Sequence, residues 1–567
     1  MFKKIKNNYF SRDYKDRSKN LDPDEIFIDS ENLPNFNVDQ FEGRIEKPIK
    51  RSTFWVFGIF CFLLLTGFFI KSWVLQVSEG SNFAIKSDNN RLRYTLLFTK
   101  RGVIYDRNDD KLAWNVYDET NPEFSLRKYD TTPGLAHIVG YIKYPSKDKY
   151  GFYYSDQFDG KDGVEKFFND TLTGTNGLRI IEVDAHNKIQ SENMIRPPED
   201  GADVKLSIDS KVQEEMYKEI SGLANKVGFT GGAGVIMDVN TGEILSLTSY
   251  PEYNSQIMTD GSDVSAINSY LKNKNNPLLD RVTDGLYTPG SIVKPFMAIS
   301  ALTSKIIDPS TNILSTGSIS LPNPYDPAHP SVFKDWRVQG YVDMRKAIAV
   351  SSDVYFYEVG GGYQNQKGMG IDLIDKYMSQ FGFGKDLPTG FFSGLTGTIP
   401  TPDWKKTNFN GEDWNIGDTY HTSIGQYGFQ VTPIQAVRGI ASIANGGKLF
   451  NPSILFGGNT NDFVQLPFSD DDIKVVREGM RMGVQEGIAT GLNVDYVNIA
   501  AKTGTAELGS QKQFVNSWVV GFFPYEKPRY AFAVIMEKGP VANTTGGVYV
   551  MRQVFDWMSA NTPDYLK

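Results

Sequence analysis

The chain has 567 residues, several times the roughly 100–200 of one domain, so two or more folded units are expected. Its composition, 40% hydrophobic, 13% aromatic and 22% charged, excludes collagen-like, mucin-like and wholly coiled-coil chains. The net charge of -8 gives nucleic acid no electrostatic reason to bind. One cysteine, Cys61, rules out an intramolecular disulfide and a thiolate zinc cluster, and His137, His186, His329 and His421 are too scattered for a histidine-rich metal centre. Serine, lysine and carboxylate chemistry remain.

Residues 1–43, in a tail that runs over 1–52, mix both charge signs with Asn, Asp and Pro and read as mostly disordered. From Phe54 to Ile70 the chain runs FWVFGIFCFLLLTGFFI, seventeen residues without a charge, and the apolar character resumes at Trp73, Val74 and Leu75. That approaches the roughly 20 residues needed to cross a bilayer, which predicts one membrane helix over 53–76. The segment follows about fifty polar residues, so it reads as a retained anchor and not a cleaved signal. Arg44, Lys47, Lys50 and Arg51 on its N-terminal flank, against Lys71 on the other, place the N-terminus in the cytoplasm and the bulk of the chain outside.

After the anchor, TLLFTKRGVIYDRNDDKLAWN reads as strand, turn and strand, with the turn at Asn108-Asp109-Asp110. GKDGVEKFFNDTLTGTNG, Gly160 to Gly177, reads as one short amphipathic helix between glycine turns. The prolines of RPPEDGADVKLSID mark a boundary near residue 200, separating a domain over 77–200 from one over 201–567. In the latter, KVQEEMYKEISGLANKV has Val212, Met216, Ile220 and Leu223 at helical spacing. GGAGVIMDVNTGEILSLTSYP and SWVVGFFPYEKPRYAFAVIME read as hairpins, and Val548, Met551, Phe555 and Met558 as the stripe of a terminal helix. Helices around hairpin strands imply an α+β fold with an antiparallel sheet.

Three motifs carry chemistry. In YTPGSIVKPF the Pro289-Gly290 turn precedes helical periodicity, and Pro295 is tolerated only if the helix begins near Ser291. Ser291 then sits at a helix N-terminus, whose dipole favours an alkoxide, with the Lys294 amine one turn on. The S-x-x-K spacing alone says little, since it also begins at Ser125, Ser146, Ser269 and Ser331. In AVSSDVYFYEVG, Ser351 and Asp353 are bracketed by apolar residues; by themselves they fit a helix cap as well as a site. In AAKTGTAE, Lys502-Thr503-Gly504 places a glycine where a substrate can lie against a strand edge, although a bare tripeptide of this kind is more often a turn.

The order S-x-x-K, S-x-D, K-T-G is far more specific than any one motif. On it the chain resembles the class B penicillin-binding proteins, membrane-anchored D,D-transpeptidases of bacterial cell-wall synthesis. NNRLR, RGVIYDRN and GVEKFF resemble the family's N-terminal pedestal, and IGQYGFQVTPIQ its IGQG…TP segment, with Tyr427 interrupting the glycine pairing. Asp353, in place of the commoner asparagine, looks more like elongation-type than septal members.

The resemblance implies a pedestal beneath a transpeptidase domain of the serine β-lactamase type. It implies the D-Ala-D-Ala end of a peptidoglycan stem peptide as donor, an acyl-enzyme on Ser291, and an amine of a neighbouring stem as acceptor, with D,D-carboxypeptidase action on the side. Lys294 serves as base if neutral, and burial beside the Lys502 cation favours that. Ser351 relays a proton, Asp353 positions the loop or meets substrate, the N–H groups of Ser291 and Thr505 form the oxyanion hole, and Thr503 and Thr505 meet the terminal carboxylate. No metal or organic cofactor is required; zinc at Asp326, His329 and Asp335 is a second reading that lacks a thiolate. Implied partners are lipid-linked precursor, β-lactams, the membrane and a SEDS-family glycosyltransferase. Rival readings are a serine β-lactamase, for which no E-x-x-L-N element is present, a β-lactam sensor, and a catalytically silent scaffold.

Overall fold

The computed structural model describes residues 50–567 apart from 121, 150–152, 184–188, 324–325, 388–389, 459–460 and 510, with the backbone alone at 87–93. The predicted tail up to residue 49, His186 and the side chains of NNRLR therefore lie outside the described residues. The chain forms two compact units, one ending at Asn90 and the other spanning Arg91–Lys567.

In the first unit an α-helix, Arg51–Trp73, passes into a π-helical turn, Val74–Ser78, and none of its residues is buried. Within the 28 residues Arg51–Ser78 an 18-residue stretch reaches a mean hydropathy of 2.3. At about 1.5 Å per residue the 28 residues exceed the roughly 30 Å hydrocarbon core of a bilayer.

The second unit begins with two small sheets. Leu92–Leu97 pairs antiparallel with Gly177–Val183, which pairs with Ile189–Arg196. The segment read as one strand, turn and strand is therefore divided: only Ile104–Tyr105 forms the hairpin with Lys111–Val116. Asp106 closes that turn, its Oδ1 accepting from the N–H groups of Asn108 and Asp110 at 2.7 and 2.9 Å. Val204–Lys205, just beyond the expected boundary, pairs in parallel with Ile104–Tyr105.

The single helix expected around GVEKFF is two, Gly163–Phe167 and Asn169–Thr173. Arg101 supplies the reason. Its guanidinium takes the Glu165 carbonyl at 2.8 Å, the acceptor a continuous helix would give to the N–H four residues on. The same guanidinium meets Glu165 Oε2 at 2.5 Å, while Arg127 Nε meets Oε1 at 2.7 Å, all three side chains buried. RGVIYDRN and GVEKFF are thus two halves of one buried ion cluster.

The C-terminal part is built on a five-stranded antiparallel sheet. Helix α1 (Ser210–Val227), capped by Asp209, leads into the hairpin β1 (Gly231–Asp238) and β2 (Ile244–Tyr250). Helices α2 (Lys294–Thr303), α3 (Met344–Val350), α4 (Asp353–Gly361), α5 (Pro433–Ala444) and α6 (Asp470–Gln485) follow. Strands β3 (Ala500–Leu508), β4 (Phe514–Phe523) and β5 (Tyr530–Pro540) complete the sheet before helix α7 (Gly547–Asn561). The order is β2-β1-β5-β4-β3, with β3 at one edge.

Both faces of the sheet are buried, which is why these strands read as near-continuous apolar runs. Val235, Val520 and Ala533 face a core with Phe296, Met297, Ile434 and Val437 of α2 and α5. Their neighbours Ile236, Val519 and Val534 face Val212, Met216, Val550 and Phe555 of α1 and α7. The period of two divides the layers, and α2, carrying the first motif, lies on one of them.

Candidate active site

Ser291 lies in a 3-10 turn, Gly290–Val293, that runs directly into α2, with Pro295 in the first turn as its missing N–H allows. Gly290 has φ 56° and presses on the edge strand: a Cβ there would come 2.8 Å from the Thr505 carbonyl oxygen. Gly504 answers from the strand, where a Cβ would stand 2.8 Å from the Pro289 carbonyl oxygen and from Ile292 Cγ2. Glycine on both sides is what lets the Ser291 turn sit against β3. The turn is held from two further directions. Gly290 N–H donates to the Gly425 carbonyl at 2.9 Å, and the Trp518 indole donates to the Thr288 carbonyl at 3.1 Å.

The second motif supplies the centre of the site. Ser351 ends α3 in the left-handed region, φ 57° and ψ 45°, and Ser352 begins α4 as its N-cap, accepting from the Tyr355 N–H. The capping role that the sequence leaves open for Ser351 thus falls to its neighbour. Buried Lys294 spends its three donors here: on Asp353 Oδ1 at 2.6 Å, the Ser351 carbonyl at 2.9 Å and Ser351 Oγ at 3.2 Å. Lys502 Nζ reaches the same Ser351 Oγ at 2.8 Å and the Thr503 carbonyl at 2.8 Å. One hydroxyl bridges the two lysines.

The electrostatics separate the two amines. Burial, and then the positive charge of Lys294, hold the Lys502 ammonium well below its ordinary value of 10.5, with Asp353 opposing. Lys294 is the one ion-paired with a carboxylate. The sequence reading expects burial to act on Lys294; in the structure burial also disfavours the charged form of Lys502. No hydrogen bond joins Ser291 to Lys294 among the described residues.

Thr503 and Thr505 lie on the face of β3 opposite Lys502 and Gly504, Thr505 exposed and Thr503 half-buried, with Thr505 opposite Ser517 of β4. The residues proposed for metal do not converge. His329 Nδ1 lies 2.8 Å from Asp326 Oδ2 at the surface, while Asp335 is engaged by Ser352 Oγ and the Val354 N–H at 2.8 and 3.1 Å. Among the described residues no group of three or more His, Cys, Asp or Glu side chains gathers to hold a metal ion. Sequence reasoning gave no role to Gly425 and Trp518. Gly425 had a signal, the glycine of the IGQ segment, whereas Trp518 reads only as one more apolar strand residue.

Residues 232–556 match the penicillin binding protein transpeptidase domain, and residues 122–206 the penicillin-binding protein dimerisation domain. The chain belongs to the penicillin-binding protein family. It is 30% identical over 600 residues to the peptidoglycan D,D-transpeptidase MrdA of Acinetobacter baumannii, covering 88% of this chain and 86% of that one. Its fold is similar to Pseudomonas aeruginosa PBP2 in complex with WCK 5153, at 28% identity and TM-score 0.69 over 84% of this chain and 98% of that one. It is also similar to Helicobacter pylori PBP2 in complex with MreC, at 26% identity and TM-score 0.66 over 83% of this chain and 99% of that one. These likenesses put it with the elongation-type, class B members.

Proposed function

We propose that the chain is a peptidoglycan D,D-transpeptidase that acylates Ser291 with the D-Ala-D-Ala end of a stem peptide and passes the acyl group to an amine of a neighbouring stem. The observation that carries this reading is Ser351 Oγ lying within hydrogen-bonding distance of both Lys294 and Lys502, beside the Ser291 turn. The MrdA relative, named a peptidoglycan D,D-transpeptidase, supports it.

The two lysines and Ser351 form a proton store. Lys294 is ion-paired with Asp353, and burial beside it disfavours the charged form of Lys502. A substrate carboxylate arriving at Thr503 and Thr505 favours charge on Lys502. Lys294 then gives a proton to Ser351 Oγ as the Ser351 proton moves to Lys502. The neutral Lys294 amine takes the Ser291 proton as Oγ attacks the carbonyl of the penultimate D-alanine. The C–N bond breaks, and the leaving D-alanine amine collects a proton by the same path in reverse. The N–H groups of Ser291 and Thr505 hold the oxyanion, each donor contributing about 2.7–4 kcal/mol in comparable sites. The acceptor amine repeats the sequence against the ester.

Residues 53–76 anchor the chain in the bacterial cytoplasmic membrane, with the N-terminus in the cytoplasm and the pedestal (77–200) and transpeptidase domain (201–567) outside, as the flanking Arg44, Lys47, Lys50 and Arg51 favour. The solved complex of the H. pylori relative with MreC supports a partner like MreC, and a similar solved structure, of a peptidoglycan synthase complex that coordinates polymerization and crosslinking, supports a SEDS-family glycosyltransferase as a second. The test is crosslinking of glycan strands that carry D-Ala-D-Ala stems. Crosslinked muropeptides formed by the wild type and lost in Ser291→Ala support the proposal; release of hydrolysed stems alone, or crosslinks that survive Ser291→Ala, refute it.

A further inference from the structure

Ser351 has to hold an unfavourable conformation to do its work. A non-glycine residue in the left-handed region costs roughly 1–2 kcal/mol, and it persists where the surroundings over-determine it. If Ser351 relaxed to an extended conformation, its hydroxyl would leave the two lysines and its carbonyl would leave Lys294. The bonds to Lys294 and Lys502 are themselves part of the chemistry, so the restraint has to come from elsewhere.

Part of it is the C-terminal cap of α3, where the Ser352 N–H donates to the Ala347 carbonyl at 3.0 Å and the Ser351 N–H to the Ile348 carbonyl at 3.2 Å. The rest is supplied by two adjacent residues that follow the hairpin Ser318–Leu321 and Ser331–Lys334. Asp335 Oδ2 accepts from Ser352 Oγ at 2.8 Å and from the Val354 N–H at 3.1 Å, both just after Ser351. The Trp336 indole N–H donates to the Val350 carbonyl at 3.2 Å, just before it. Asp335 is fixed in turn: its N–H donates to the Gly317 carbonyl at 2.9 Å, and Ser315 Oγ donates to Oδ2 at 3.1 Å. Helix capping alone does not account for the pair. Ser352 already caps α4, and the Trp336 bond lies on a different helix, α3.

We propose that Asp335 and Trp336 are positioning residues, a two-point clamp on Val350 and on Ser352–Val354 that keeps Ser351 in its left-handed conformation against Lys294 and Lys502. The proposal rests on the reading of Ser291 as the acylated nucleophile. Neither residue touches the reacting atoms, and both act through Ser351.

The test is acylation of the full chain by a fluorescent penicillin, resolved into the limiting acylation rate and the non-covalent binding constant, with a melting curve for each variant. Trp336→Phe keeps an aromatic ring at a position that is 53% exposed and removes only the indole donor. The limiting rate is expected to fall several-fold in Trp336→Phe and on the order of 10²-fold in Asp335→Ala, the scale of a misplaced catalytic group, with binding unchanged. Asp335→Asn, which retains an acceptor oxygen, recovers most of the rate. A wild-type limiting rate in Trp336→Phe, or a fall confined to binding, overturns the clamp, and so does a full loss in Asp335→Asn with unchanged melting. If Asp335→Ala does not fold, Trp336→Phe and Asp335→Asn decide. A wild type that takes no label at Ser291 refutes the transpeptidase reading itself, a result separate from these.

Discussion

Lys502 Nζ lies 2.8 Å from Ser351 Oγ, and burial beside the Lys294 charge keeps that amine well below the ordinary lysine range. A lysine held below its ordinary range is a better proton acceptor for Ser351 than an exposed lysine, which stays charged.

The acylation rate is therefore expected to rise as pH climbs through the depressed Lys502 value and to reach its plateau well below 10.5, with Lys294 and Asp353 the charged groups that face it. Lys502→Arg, whose guanidinium keeps its charge, should stay low at every pH. Stopped-flow penicillin acylation across pH checks both.

Lys502 also carries a stability cost. Between its folded value and the unfolded 10.5 the folded state binds fewer protons than the unfolded one, so stability rises with pH across that window. Lys502→Met should flatten this dependence while abolishing acylation. Calorimetry at several pH values is the measurement.

Ser351 combines a chemical group with a strained backbone, and two substitutions separate them. Ser351→Ala and Ser351→Gly both remove the relay hydroxyl and should lower acylation by roughly 10²–10⁴-fold, the range of a positioned proton-transfer group. Glycine adopts φ 57° without strain, so Ser351→Gly should be more stable than Ser351→Ala by about 1 kcal/mol. Equal activity loss with unequal denaturant midpoints is the expected pattern.

Gly504→Ala would place a methyl 2.8 Å from the Pro289 carbonyl oxygen and Ile292 Cγ2, and a backbone oxygen cannot swing aside as a side chain can. The Ser291 turn is then pushed off β3, and acylation should fall by about 10²-fold. Kinetics with Gly504→Ala beside Ala506→Gly, a loosening change two residues along the same face, distinguish the clash from a general weakening of the strand.

In the pedestal, Glu165 is, among the described residues, the one carboxylate ion-paired with both buried guanidinium groups, of Arg101 and Arg127. Glu165→Ala leaves two buried cations uncompensated and should cost about 3–5 kcal/mol. Equilibrium unfolding in urea measures it.

Much of the C-terminal fold was legible because its signals are local. The Asn240-Thr241-Gly242 turn lies between β1 and β2, and the stripe at Met551, Phe555 and Met558 belongs to α7, as read. The pedestal was less legible, since Arg101 divides an apparent helix through contacts with Glu165, 64 positions away. At the site, motif order brought Ser291, Lys294, Ser351, Asp353 and Lys502 together. It singled out Ser351 but left open that this serine merely caps a helix, a role that falls to Ser352 because a single left-handed residue separates the two helices. Nor did it show that burial disfavours the Lys502 charge, because the depth at which each amine lies is set by tertiary packing. Asp335, nominated for metal, is instead bound to the motif beside it.

The most direct measurement is peptide mapping by mass spectrometry after incubation with penicillin. The expected result is one stable adduct, on the peptide that contains Ser291, absent in Ser291→Ala and formed slowly in Ser351→Ala. An adduct on any other residue, or an unmodified wild-type chain, would contradict the central claim that Ser291 is the nucleophile served by Lys294, Ser351 and Lys502.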